Sequence, residues 1–134
     1  YALYNVTFAS VSYPAGILSD RIGRWRLLGS GWGLYAAVYV GFAVGPAWAV
    51  WVLMPVYGLY GAMSDGIGKA LITDVVPSSR RGTALGVFSL ATGCATLVGS
   101  LIAGVVWDHV GHGAPFLIGA AFAVIALAMI RWVR

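Results

Sequence analysis

Glutamate is absent from this 134-residue sequence, and its four acidic side chains are all aspartates: Asp20, Asp65, Asp74 and Asp108. Charged residues amount to 9%, against about 25% in a soluble domain, so too little polar surface exists to solvate a globule. The single cysteine, Cys94, sits inside an apolar run; it excludes an internal disulfide and reads as a small packing residue. The only histidines, His109 and His112, share one short turn with Asp108 beside Gly111 and Gly113, a flexible arrangement too sparse for a metal site, so no metal is expected. No Gly-x-x-x-x-Gly-Lys phosphate loop occurs, and no nucleophile, base or metal constellation suggests a membrane-embedded enzyme. No cofactor is called for. The missing glutamate also argues against a small four-helix multidrug pump built around a membrane Glu.

What the sequence has in abundance is hydrocarbon. Hydrophobic residues make up 60% and mean hydropathy is +0.89. A bilayer core about 30 Å thick needs about 20 apolar residues of helix. Apolar runs cover residues 27–45, 47–72, 82–107 and 114–130, and a fifth, 1–18, is truncated. That first run starts at Tyr1 with neither an initiator Met nor a basic leader, so it reads as the tail of a spanning helix, and the chain as a fragment. The runs are continuous and do not alternate, which excludes barrel strands; helices then satisfy the backbone in lipid. The fold class is all-α and polytopic, with about 4.5 transmembrane helices joined by charged loops at 19–26 and 73–81.

Charge sets the expected topology. Threaded in alternation, Arg21, Arg24, Arg26, Lys69, Arg80, Arg81, Arg131 and Arg134 all fall on one side, whereas the turns at Gly45-Pro46 and 108–113 carry no Lys or Arg. By the positive-inside rule the basic side and the C-terminus are cytoplasmic, which suits a plasma membrane, the bacterial inner membrane, and accounts for the +4 net charge without nucleic acid. Pro77 closes one helix, Ser78 and Ser79 are candidate caps for the next, and Pro115 suits a first turn. Small residues recur at four-residue spacing, as in Gly29/Gly33, Gly41/Gly45, Ala95/Gly99/Ala103 and Thr96/Ser100/Gly104, a pattern that lets helix backbones approach closely. Trp48, Trp51, Trp107 and Trp132 stand near span ends, as interfacial aromatics do.

Two motifs carry a family resemblance. GILSDRIGRWRLL, residues 16–28, resembles the signature loop of the major facilitator superfamily, Gly-x-Leu-Ala-Asp-Arg-x-Gly-Arg-Lys-x-x-Leu. Gly16, Leu18, Asp20, Arg21, Gly23, Arg24 and Leu28 stand in place; Ser19 replaces Ala, and Trp25 takes the Lys position, with Arg26 next to it. DVVPSSRRGTALG, residues 74–86, is similar to the Asp-x-x-Pro-x-x-x-Arg-Gly-x-x-x-Gly junction two helices later and includes Arg81 and Gly82. GSLIAGVVWDHVG, residues 99–111, resembles the end of the eleventh helix. The stretch 51–62 lacks the Arg common in the fourth helix, so the resemblance favours the C-terminal six-helix half, from the end of helix 8 through helix 12, over helices 2 to 6.

The resemblance implies a permease working by alternating access between two six-helix halves, with the N-terminal half of the same chain missing from this sequence. It also implies roles: Asp20 against a helix start in the opposite half, Arg24 paired with an acidic group on a neighbouring helix, and Asp74 as that group. These would form a conformational latch, although the same charges would also serve simply to hold the loop in the cytosol. Asp65 and Lys69 lie four residues apart inside an apolar span. A mutual salt bridge, substrate contact or proton coupling, and snorkelling of Lys69 all fit them. Tyr57 and Gly61 continue that face outward, making Tyr57 a candidate substrate contact. Asn5, Ser89 and Thr92 suit either cavity lining or hydrogen bonding between helices. The expected partners are the lipid bilayer and a small-molecule substrate, with or without a coupled H+. Alternatives are a non-transporting helical subunit or sensor and, less in keeping with the residues, a membrane-embedded enzyme.

Overall fold

The computed structural model describes residues 1–133, with side chains through residue 130; Arg134 and the side chains of Arg131 and Trp132 lie outside the described residues. Five helices follow one another: α1 (Ala2–Ile22), α2 (Arg24–Val44), α3 (Val50–Val75), α4 (Arg81–His109) and α5 (Ala114–Val133), with single 3-10 turns at Ala47–Ala49 and Ser78–Arg80. Three stretches, Arg24–Val44, Ala47–Val75 and Ser78–His109, are long and apolar enough to cross a membrane, and Ala114–Ile130 is apolar but shorter. α1 is not among them; Asn5, Thr7, Ser10, Ser12 and Ser19 dilute its apolar character. Proline stands inside α1 at Pro14 and inside α3 at Pro55, a substitution that membrane helices tolerate where neighbours support the freed carbonyl.

The helix ends differ from the sequence expectation. Residues 19–26 form no extended loop: α1 runs to Ile22 and α2 resumes at Arg24, leaving Gly23 alone between them. Its φ of 94° and ψ of 135° suit glycine and few other residues. The Gly23 N–H donates to Ser19 O at 3.1 Å and its carbonyl accepts from Leu27 N at 3.2 Å, so one residue closes both helices. The charged residues Asp20, Arg21, Arg24 and Arg26 thus lie on the helices themselves. Likewise Asp74, expected in a loop, lies in the last turn of α3. Ser78 and Ser79 make a 3-10 turn, and α4 begins without a side-chain cap.

Packing is not sequential. α3 is held mainly by α1 and α2, and α5 docks on α2 far more than on its chain neighbour α4. α1 and α3 cross at Gly58, where an added Cβ would lie 2.5 Å from Tyr4 O and 3.0 Å from Thr7 Cβ; two backbones touch there. Leu27, Leu28 and Ile67 form a buried cluster, with Trp32, Met63 and Leu71 packed against it. The turns alternate between two ends: Arg24 meets Asp74 at one, while Gly113 lies against Ala43 at the other.

α4 has no buried residue. The small-residue stripe expected to bring helices together makes no close backbone contact, since added Cβ atoms at Gly99 and Gly104 would meet nothing within 4 Å. Cys94, read as a packing residue, is exposed. The polar side chains of the spans turn to their own helices rather than across: Asn5 Nδ2 donates to Tyr1 O at 3.3 Å and Thr92 Oγ1 to Phe88 O at 2.9 Å. Trp48 and Trp51 are largely exposed.

Candidate functional site

Three helix ends meet around Arg24. Its guanidinium Nη1 lies 2.7 Å from Asp74 Oδ2 and its Nη2 lies 3.8 Å from Asp20 Oδ1. All three charges oppose their own helix dipoles. Arg24 opens α2, whose N-terminus carries partial positive charge, and Asp20 and Asp74 lie in the last turns of α1 and α3, whose C-termini carry partial negative charge. Each misplacement costs about 0.3–1 kcal/mol, and bringing the three together offsets it. Nη1 is buried without a hydrogen-bond partner despite touching Asp74: its N–H directions miss the carboxylate oxygen. The contact is therefore one of charge with charge and not the two-pronged fork an Arg–carboxylate pair often makes.

The other motif residues surround this cluster without joining it. Arg21 is exposed at the end of α1, and Gly16 is exposed with its carbonyl accepting from Ser19 Oγ at 2.7 Å. Arg81 Nε donates to Val76 O at 3.4 Å across the turn between α3 and α4, and Gly82 faces open space. Gly23 supplies the break that lets α1 and α2 present Asp20 and Arg24 side by side. A cavity of about 470 Å³ opens beside Ser19, Asp20, Arg24 and Asp74.

Asp65 and Lys69 make no ion pair: among the described residues, only Arg24 forms contacts of that kind, within 4.0 Å. Both are exposed, and no surrounding wall forces the two side chains together. They stand on α3 between the Arg24 cluster and a second feature that the sequence analysis reached only through Tyr57.

That feature is a tyrosine cluster. Tyr35 and Tyr39 of α2 stack at 4.0 Å between ring centroids, Tyr57 and Tyr60 of α3 at 5.7 Å, and the two pairs meet at 4.7 Å (Tyr35–Tyr60) and 5.8 Å (Tyr39–Tyr57). Tyr4 of α1 adds a fifth ring 5.2 Å from Tyr57, with its hydroxyl 2.7 Å from where a Gly61 Cβ would stand. The Tyr39 ring lies equally close to where a Gly119 Cβ of α5 would stand. Tyr35, Tyr39, Tyr57 and Tyr60, with Trp32, form one wall of a cavity of about 620 Å³ between α2, α3, α4 and α5, opposite Thr96 and Ser100. Among the described residues, no charged side chain lines it. Ring faces and phenol hydroxyls suit a solute that is aromatic and neutral or cationic, and they offer nothing to neutralise an anion. Tyr35/Tyr39 and Tyr57/Tyr60 were visible as (i, i+4) and (i, i+3) pairs, but no sequence signal says that α2 and α3 face each other at that level.

The turn at 108–113 holds no ligand cluster among the described residues. His109 Nδ1 lies 2.9 Å from Val105 O, and the His112 ring packs edge-on to Trp107 at 4.6 Å.

The sequence profile of the Major Facilitator Superfamily matches residues 1–134. The chain belongs to this superfamily. It is similar to an uncharacterized MFS-type transporter of Methanocaldococcus jannaschii, 39% identical over 94% of this chain and 32% of that protein. It is also similar to the multidrug resistance protein MdtG of Proteus mirabilis, 36% identical over 88% of this chain and 30% of that protein. The inner membrane transport protein YajR of Escherichia coli is 27% identical over 98% of this chain and 29% of that protein. The chain thus spans about a third of the length of the relatives it matches. For a superfamily member, the Arg24 cluster sits at the signature motif and the tyrosine-lined cavity lies among the helices that follow it.

Proposed function

We propose that this chain is part of a secondary active transporter that moves a small solute across a membrane by alternating access and is not an enzyme. Its five helices are read as the end of helix 8 through helix 12 of the C-terminal half, with the N-terminal half completing the carrier. The observation that carries this reading is the Arg24 cluster: one guanidinium ties the ends of α1, α2 and α3 through contacts that are close but only partly buried. Such a tie holds one arrangement of helices and can break without unfolding them, which a rocking carrier requires. Asp20, Arg21, Arg24, Asp74 and Arg81, with Gly16, Gly23 and Gly82, form the latch region in this reading. The basic end and the C-terminus face the cytosol, in a bacterial inner membrane; the positive-inside rule supports the orientation, and the inner membrane transport protein of Escherichia coli among the relatives supports the membrane.

Solute binding is assigned to the tyrosine-lined cavity, with Tyr57 as a contact. Asp65 and Lys69, exposed in an apolar span, are the candidates for proton coupling or substrate contact. The relative named a multidrug resistance protein and the tyrosine-lined cavity together make transport of an aromatic solute the first activity to test. The test is flux into proteoliposomes holding the full-length parent, with a fluorescent organic cation, a neutral aromatic and an organic anion, each with and without a pH gradient. Transport of the first two, reduced by Tyr57→Ala, is expected. Flux equal to that of protein-free liposomes for all three would overturn the carrier reading.

A further inference from the structure

At the end of the bundle that carries Arg24, a separate groove of about 510 Å³ runs between the first turns of α2 and the last described turns of α5. Trp25, Arg26 and Gly29 form one side, and Leu127, Ala128 and Ile130 the other. Gly29 sets its depth, since an added Cβ would touch Leu127 Cδ1 at 3.4 Å and Ile130 Cδ1 at 3.6 Å. Among the described residues, every one that lines it except Arg26 is uncharged. Arg26 is exposed and makes no ion pair among the described residues, because Asp20 and Asp74 are both engaged by Arg24. Trp25 is 38% exposed at the same lip.

An occupant of this groove has to be apolar along its length and anionic at one end. It also has to arrive from the hydrocarbon, since both walls belong to apolar helices. A helix about 10–12 Å across needs a wider trough than one deepened by a single glycine; an acyl chain does not. We propose that the groove binds one anionic phospholipid of the surrounding bilayer, with an acyl chain along Gly29, Leu127 and Ala128 and the phosphate on the Arg26 guanidinium. Arginine suits a phosphate because its planar donors match the oxygen geometry, and basic pockets between membrane helices at the cytoplasmic surface are known places for anionic headgroups. The site is distinct from the Arg24 cluster: Arg24 holds carboxylates of the protein itself, and Arg26 holds a charge from the bilayer.

The test uses the full-length parent purified from membranes, with native mass spectrometry counting phosphatidylglycerol against phosphatidylcholine retained from mixed vesicles. One phosphatidylglycerol should be held in preference, and Arg26→Gln should weaken its retention about fivefold, the effect of roughly 1 kcal/mol for one basic side chain near anionic lipid. Gly29→Leu, which fills the floor and leaves Arg26 intact, should weaken it as well; Ala128→Leu serves if that variant fails to fold. Phosphatidylglycerol with brominated acyl chains should quench the emission that Trp25→Phe removes. Equal loss from Arg26→Gln and Arg80→Gln would overturn the proposal, because it would mean diffuse attraction to the basic end. So would competition by free glycerol phosphate as effective as by the lipid, because the groove would then contribute nothing.

Discussion

Arg24 and Asp74 offer the most direct test of the latch. Their side chains are 27% and 53% exposed, between a surface pair, where coupling runs about 0.2–1 kcal/mol, and a buried one. Each also relieves the other's unfavourable helix dipole, at about 0.3–1 kcal/mol per end. A coupling of about 1 kcal/mol follows, which moves a two-state equilibrium about fivefold. Arg24→Ala and Asp74→Asn should therefore each change the flux of the intact parent several-fold with little change in melting temperature. The double variant should be no worse than the more affected single one, because the two share one interaction. Since the contact lacks hydrogen-bond geometry, Arg24→Lys should keep most of the coupling: a point charge suffices. Asp20→Asn should do less than Asp74→Asn, its oxygen being 3.8 Å away and its side chain 71% exposed. Raising salt toward 1 M, where the screening length falls to about 3 Å, should shrink the coupling. The assay is proteoliposome flux with a parallel thermal melt. Strictly additive losses in the double variant, or an Asp20→Asn effect as large as that of Asp74→Asn, would refute the argument.

Three further outcomes are expected. Gly58→Ala drives a methyl into the α1 backbone and should destabilise the bundle by about 1–3 kcal/mol, whereas Gly66→Ala, in open helical space, should be neutral or stabilising by up to about 1 kcal/mol; equal melting temperatures in detergent would contradict the helix crossing. Gly23→Ala places a side chain at φ 94° and should cost about 1–3 kcal/mol, read as a lowered melting temperature, although no neighbour obstructs the new methyl. Asp65→Asn should alter the pH dependence of flux if that carboxylate carries protons; an unchanged profile would remove it from the coupling pathway.

The helical class and the number of helices were legible because lipid allows few solutions and leaves long apolar runs in the sequence. Their ends were not, since charge records the water boundary while hydrogen bonding decides where helix stops; at 19–26 the two differ by all but Gly23. Spacing was an unreliable guide to pairing. Asp65 and Lys69 have favourable spacing and stay apart, whereas Arg24 meets Asp74 from fifty positions away, a partnership that only the motif resemblance pointed toward. The tyrosine cluster stayed hidden for a related reason. Periodicity assigns a residue to a helix face, but which helix that face meets depends on non-sequential packing, here α1 on α3 and α2 on α5. The small-residue stripe of α4 illustrates the converse, a face ready for close contact that borders a cavity instead.

The pairing of α5 with α2 also fixes an order of events during synthesis. The α2 face that will hold α5, around Gly29 and Tyr39, leaves the ribosome well before its partner, and everything from Gly45 to Gly113 must be made in between. At about 5–20 residues per second, that face waits several seconds among lipid tails. A helix hairpin inserted later, or a second nascent chain with the same face, has that interval in which to capture it, so the speed of elongation through α3 and α4 becomes a determinant of correct assembly.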